Sequence, residues 1–208
     1  MNIKKYCRSF SILLALFLAN GAIADTIPPD AVVKNTANEV LEILKSDKDI
    51  ENGDMNKLGK LVEDKIAAKF DFDLMSKMVL GRGWGSASAD QKERFITEFR
   101  SLLVRTYSSA LSKYRNQTIE YKAFREQPED TEVKVKTQIV QHGGPAIPLD
   151  YSMELVGDTW KVYDVSIEGI SLVVSYHGQF AAEIRQNGIE GVILKLAEKN
   201  KHLHQSAS

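Results

Sequence analysis

Between Ser88 and Leu196 the spacing of apolar residues changes twice, and this restricts the fold more than any other feature. Phe95, Phe99, Leu102, Leu103, Thr106, Tyr107, Ala110, Leu111 and Tyr114 recur every three or four residues. That is the stripe of one long amphipathic helix. Ser88 and Gln91 ahead of it make a capping box, in which each side chain satisfies a backbone N–H of the other. The period then falls to two. Thr118 to Arg125 reads as a strand, and Val133, Val135, Thr137 and Ile139 alternate with Lys134, Lys136 and Gln138. Turn residues His142 to Pro145 follow. Ile147, Leu149, Tyr151, Met153 and Leu155 alternate up to Gly157-Asp158, and Trp160 to Ile167 makes the next strand. After Gly169 helical spacing returns with Leu172, Val173, Tyr176, Phe180 and Ile184. It breaks at Gly188 and resumes with Ile189, Val192, Ile193 and Leu196. Helices, a meander of about four strands, then helices predict an α+β fold: a curved antiparallel sheet with helices packed on one face.

Upstream, Pro28-Pro29-Asp30 suits a helix start, and Val33, Ala37, Val40, Leu41 and Leu44 follow helical spacing. Lys45 to Gly53 is polar and reads as a loop. Asp54 is an N-cap candidate before Met55, Leu58, Leu61, Val62 and Ile66. A short helix is predicted from Asp71 to Leu80, capped by Gly81. Residues from Asn200 onward read as a frayed tail.

The first 24 residues have a separate character. Lys4, Lys5 and Arg8 precede a short apolar run from Phe10 to Ala19, and Ala22-Ile23-Ala24 follows. This is the pattern of a secretory signal peptide cleaved after Ala24. Its removal takes three cations, no acid and Cys7, the only cysteine. The 27 Lys and Arg then become 24 against 28 Asp and Glu, a net charge of −4. Such a chain has no disulfide, no thiolate nucleophile and little attraction for nucleic acid. The expected domains are a signal peptide at 1–24, a single domain at 25–200 and a flexible tail at 201–208.

Catalytic chemistry is not visible. His202 and His204 form an isolated His-x-His, a weak metal signal, and His142 lies in a turn. Asp71 and Asp73 are explained by capping of a first turn. The glycines around Trp84 follow a helix instead of a strand, which argues against a phosphate loop. Asn116-Gln117-Thr118 is only a formal glycosylation sequon. His177 with Asp164 or Glu168 is the one pair worth testing as a base and its partner. Arg82, Arg105 and Lys113 are candidate rim cations.

What stands out is apolar mass: Phe95, Phe99, Leu102, Leu103, Tyr107, Leu111, Val135, Ile139, Tyr151, Met153, Leu155, Trp160, Val162, Ile170, Val173, Tyr176 and Phe180. Composition alone allows either a filled core or a hollow one, and a curved sheet under helices favours a pocket.

The blocks VLGRGWGSASADQKERF (from Val79), FRSLLVRTY (from Phe99), DVSIEGISL (from Asp164), YHGQF (from Tyr176) and NGIEG (from Asn187) resemble the MlaC family. These are periplasmic phospholipid-binding proteins of the Mla lipid-asymmetry pathway, also called the toluene-tolerance family. The resemblance spans about Ala31 to Asn200. It implies an NTF2-like cone with extra helices and a deep apolar cavity for acyl chains, lined by the seventeen residues named above. It implies no cofactor beyond the phospholipid cargo. The implied partners are an outer-membrane lipoprotein–porin complex and an inner-membrane ABC transporter bearing an MCE-domain protein. Two other readings remain open: a cone-fold enzyme using His177 on a small apolar substrate, and a carrier of lipoproteins.

Overall fold

The computed structural model describes residues 26–111, 117–125, 127, 129–141 and 143–205. The expected signal segment, Lys113, Tyr114, Asn116 and His142 lie outside them. Among the described residues no helix is long and apolar enough to cross a membrane.

The N-terminal part is helical. α1 spans Pro29–Ser46, α2 Lys48–Glu51 and α3 Met55–Leu61. α2 falls where a loop was expected, because Asp47 caps it through the N–H groups of Asp49 and Ile50 and Ile50 is buried. Asp54 caps α3 by accepting from Lys57 N–H at 2.9 Å. The chain continues as a π turn over Val62–Ile66 and a 3₁₀ turn over Ala67–Lys69. α4, Phe72–Leu80, is capped by Asp71, which accepts from Leu74 N–H at 2.7 Å. Arg82–Ser86 forms a short helix, α5. α6 is Ala89–Leu111, and both bonds of the Ser88–Gln91 box form at 3.1 Å.

The sheet is an antiparallel meander in chain order: β1 Thr118–Tyr121, β2 Glu132–Val140, β3 Ile147–Val156, β4 Thr159–Ile167 and β5 Ile170–Ser171. The expected first strand reached Arg125, but pairing with β2 ends at Tyr121. The fifth strand was not expected. It arises because Glu168 and Gly169 both take positive φ, 52° and 82°, the two-residue turn that folds a hairpin back. α7, Leu172–Gln205, breaks at Gly188 (φ 68°, ψ −171°) as the sequence suggested. It runs past Asn200, where the tail was expected. Asn200 is buried, and its side-chain amide donates to the Glu98 carbonyl at 2.9 Å and the Glu98 carboxylate at 2.6 Å.

Strand register sets which residues share the inner face. Ile119, Ile139 and Ile147 form one row; Tyr121, Thr137, Leu149 and Ile167 the next; then Val135, Tyr151 and Val165. A bulge interrupts β4: Ser152 pairs with Asp164 and Met153 with Val162, leaving Tyr163 as the extra residue. Strict alternation would put Val162 and Val165 on opposite faces, and the bulge lets both point inward. The edge of β4 below β5 is covered by the segment before α4, with Asp71 N–H donating to Val162 O at 2.8 Å.

Three apolar clusters hold these parts. One joins α4, α6 and α7 through Met75, Phe95, Phe99, Leu102, Val173 and Ile193. The second joins α1 to the sheet through Val33, Val135, Met153, Trp160 and Val165. The third joins the other end of α1 to α2 and α3 through Val40, Leu44, Ile50 and Leu58.

Gly81 locks α4 against α7. Its φ is 54°, and a Cβ there would lie 2.8 Å from His177 Cε1. Gly81→Ala should lower stability to urea unfolding by about 1–3 kcal/mol. In the double variant with His177→Ala the cost should be less than the sum of the two, because the clash is gone and only the backbone strain remains.

A candidate apolar binding cavity

A cavity of about 470 Å³ lies between the inner face of the sheet and the helices, within the roughly 300–1,000 Å³ of small-molecule sites. α1 forms one wall with Val32, Val33, Thr36, Ala37, Val40 and Leu41. The π and 3₁₀ turns supply Val62, Ile66 and Ala67, and Phe70, Phe72 and Met75 follow. The last turns of α6 bring Leu103, Tyr107, Ala110 and Leu111. The sheet floor is Ile119, Ile139, Ile147, Leu149, Tyr151, Val162, Val165 and Ile167, with Leu172 at the start of α7.

The wall is nearly neutral. Lys69 is the one charged side chain among the described lining residues, and it is exposed. Thr137 Oγ1 donates to Leu149 O at 2.7 Å. Burial pushes the pKa of Tyr151 up. Burial raises the pKa of Tyr107 and of Tyr176. A space lined almost wholly by hydrocarbon can bind apolar matter.

Of the seventeen residues singled out in the sequence, Leu103, Tyr107, Leu111, Ile139, Tyr151 and Val162 line the cavity. The other eleven are placed elsewhere. Phe95, Phe99, Leu102, Val173 and Tyr176 are buried between α4, α6 and α7, with Phe180 packed against them. Phe99 meets Tyr176 edge-on at 5.2 Å and Phe95 meets Phe180 at 6.2 Å. Val135, Met153 and Trp160, with Leu155 beside them, fill the closed end of the sheet against Val33 of α1. Ile170 is 65% exposed on β5. The stripe on α6 is thus divided: its first turns make core and its last two make wall.

Sequence reasoning overlooked the contribution of α1. Its apolar stripe was legible, yet nothing in it separates a helix that seals a core from one that borders a space. The small pair Thr36 and Ala37 is the available signal, since side chains of that size leave room.

The His177 pair does not form. His177 Nδ1–H donates to Val79 O at 2.8 Å. Asp164 is buried and its carboxylate accepts the Val173 N–H at 3.1 Å, while Ser171 Oγ accepts the Val174 N–H at 3.1 Å. Both acceptors serve the free N–H groups that open α7. His202 bonds Glu198 at 3.1 Å and His204 meets Arg105 at 3.2 Å, so the two do not converge. Among the described residues no cluster of His, Cys, Asp or Glu has metal-binding geometry. Arg82 and Arg105 do not border the cavity.

Comparison with known proteins gives a consistent set. The family model described as MlaC protein matches residues 34–198. The intermembrane phospholipid transport system binding protein MlaC of Haemophilus influenzae is 26% identical over 202 residues, covering 95% of this chain and 94% of its own. The toluene tolerance protein ttg2D of Pseudomonas putida is 28% identical over 182 residues, covering 87% and 83%. A phospholipid-binding protein from Ralstonia solanacearum, solved in complex with a phospholipid, superimposes with a TM-score of 0.78 at 37% identity. It covers 87% of this chain and 99% of its own.

If Asp164 serves only to open α7, Asp164→Ala should cost about 1–2 kcal/mol in urea unfolding. Uptake of an environment-sensitive apolar dye per folded molecule should stay at the wild-type level in both Asp164→Ala and His177→Ala.

Proposed function

This chain belongs to the MlaC family, and from that premise we propose that it is a periplasmic phospholipid carrier. It holds acyl chains in the cavity and moves lipid between an outer-membrane lipoprotein–porin complex and an inner-membrane ABC transporter with an MCE-domain protein, maintaining outer-membrane lipid asymmetry. Export by the segment ending at Ala24 puts it in that compartment.

The observation that carries the reading is the nearly neutral, largely hydrocarbon wall around a space of about 470 Å³. Each CH₂ withdrawn from water contributes about 0.8 kcal/mol, so a free acyl chain cannot cross an aqueous space at a useful rate. A wall of Val, Ile, Leu and Phe offers the tails an environment close to that of a bilayer. Uptake and release are then both accessible, because neither end of the journey is much more favourable. Leu103, Tyr107, Leu111, Ile139, Tyr151 and Val162 touch the tails together with the inner face of α1. The phosphate stays in water near the opening, where its charge costs nothing to leave solvated. The crystallised relative, described as in complex with a phospholipid, supports the same cargo.

Organic extraction of purified protein followed by mass spectrometry should yield diacyl phospholipid. Protein that is lipid-free as purified, and stays so after incubation with vesicles, would remove this reading. Ala110 lines the cavity, so Ala110→Trp should cut bound phospholipid per molecule to below about half, with a stability change within about 1–3 kcal/mol.

A further inference from the structure

Three residues at β1 face inward in step: Gln117 immediately before the strand, then Ile119 and Tyr121, while Glu120 between the last two is exposed. Gln117 and Ile119 line the cavity, and Tyr121 packs in the same cluster as the lining residue Tyr151. Gln117 Oε1 and Tyr121 Oη are both buried, and neither has a hydrogen-bond partner. Burial also pushes the Tyr121 phenol up. A buried polar atom left without a partner is destabilising. The neighbouring inner-face hydroxyl of Thr137 does not share this condition, since it donates to Leu149 O. Two orphaned polar groups on one short strand, beside a nearly neutral cavity, call for a ligand that brings hydrogen-bonding atoms to that strand.

The chemistry of the two groups specifies those atoms. A tyrosine hydroxyl donates. A carboxamide turned by half a revolution puts N–H donors where its oxygen stood, in the same space. The strand therefore offers two donors four residues apart on one face, with Ile119 between them. In a diacyl phospholipid the polar groups between tail and phosphate are two ester carbonyls, which only accept. We infer that Gln117 and Tyr121 seat the glycerol diester of the cargo along β1, drawing the ester region inside the cavity with the tails. This rests on the phospholipid reading and deepens it. The carrier then recognises the ester linkage as well as hydrocarbon.

A cavity that binds by tails alone treats ester and ether lipids equally. The test offers the purified chain vesicles holding equal amounts of a diester phosphatidylglycerol and its diether analogue with matched chains. The bound ratio is read by native mass spectrometry. The wild-type chain should favour the diester by about fivefold or more, the worth of one good hydrogen bond. Gln117→Leu and Tyr121→Phe should each bring the ratio towards one. Both should melt at or above the wild-type temperature, because each removes an unsatisfied buried atom. Equal uptake by the wild type overturns the inference, and so does a wild-type ratio retained by both variants. A wild-type chain that takes up neither lipid overturns the carrier reading beneath it, a separate outcome from equal uptake of both.

Discussion

The structure depends on keeping two apolar surfaces from meeting. Protein interiors normally close-pack, and a hollow lined with Leu, Ile and Val forfeits the dispersion contacts that closure would give. The sheet and the helical wall stay apart because other contacts hold them there. Phe95, Phe99 and Leu102 commit α6 to α4 and α7. Val135, Met153 and Trp160 commit the sheet to the start of α1. Leu44, Ile50 and Leu58 commit the other end of α1 to the helical side. α1 is thereby pinned at both ends to different parts of the molecule, and its middle turns span the gap. Each large side chain buried in these clusters is worth about 1.5–3 kcal/mol, which offsets the contacts not made across the cavity.

Smaller devices keep the geometry. The bulge at Tyr163 aims Val162 and Val165 into the same space. The bonds of Asp164 and Ser171 to the first N–H groups of α7 fix where that helix leaves the sheet. Arg94 grips Glu190 through both terminal guanidinium nitrogens, at 3.1 and 2.6 Å, so the second half of α7 stays on α6 beyond the break at Gly188. Tyr163, Asp164, Ser171, Arg94 and Glu190 do not line the cavity. They act on it by setting the positions of its walls.

Much of the fold was legible because it rests on local physics. The capping box at Ser88, the caps at Asp54 and Asp71, and the alternation of β2 and β3 all follow from neighbours in sequence. The fifth strand was missed because Glu168 in a positive-φ turn breaks the usual preference for Asn or Gly there. α2 was missed because its one apolar anchor, Ile50, is outnumbered by charges. The wall of the cavity was only partly legible. Phe99 and Leu103 belong to one stripe and read alike, yet one meets Tyr176 and the other meets empty space. That difference is set by what lies opposite in three dimensions. Periodicity reports burial, and burial is common to core and cavity.

The division of α6 and the thinness of the α1 wall have a consequence for how such a chain can diverge. The residues that make the protein fold are large, interlocked and intolerant of change. Those that set the shape of the hollow, Thr36, Ala37 and Ala110 among them, are small and lie on helices whose other faces do the holding. Mutation at these positions alters capacity while leaving the scaffold intact. The breadth of cargo can therefore drift under selection almost independently of the architecture, one methyl group at a time.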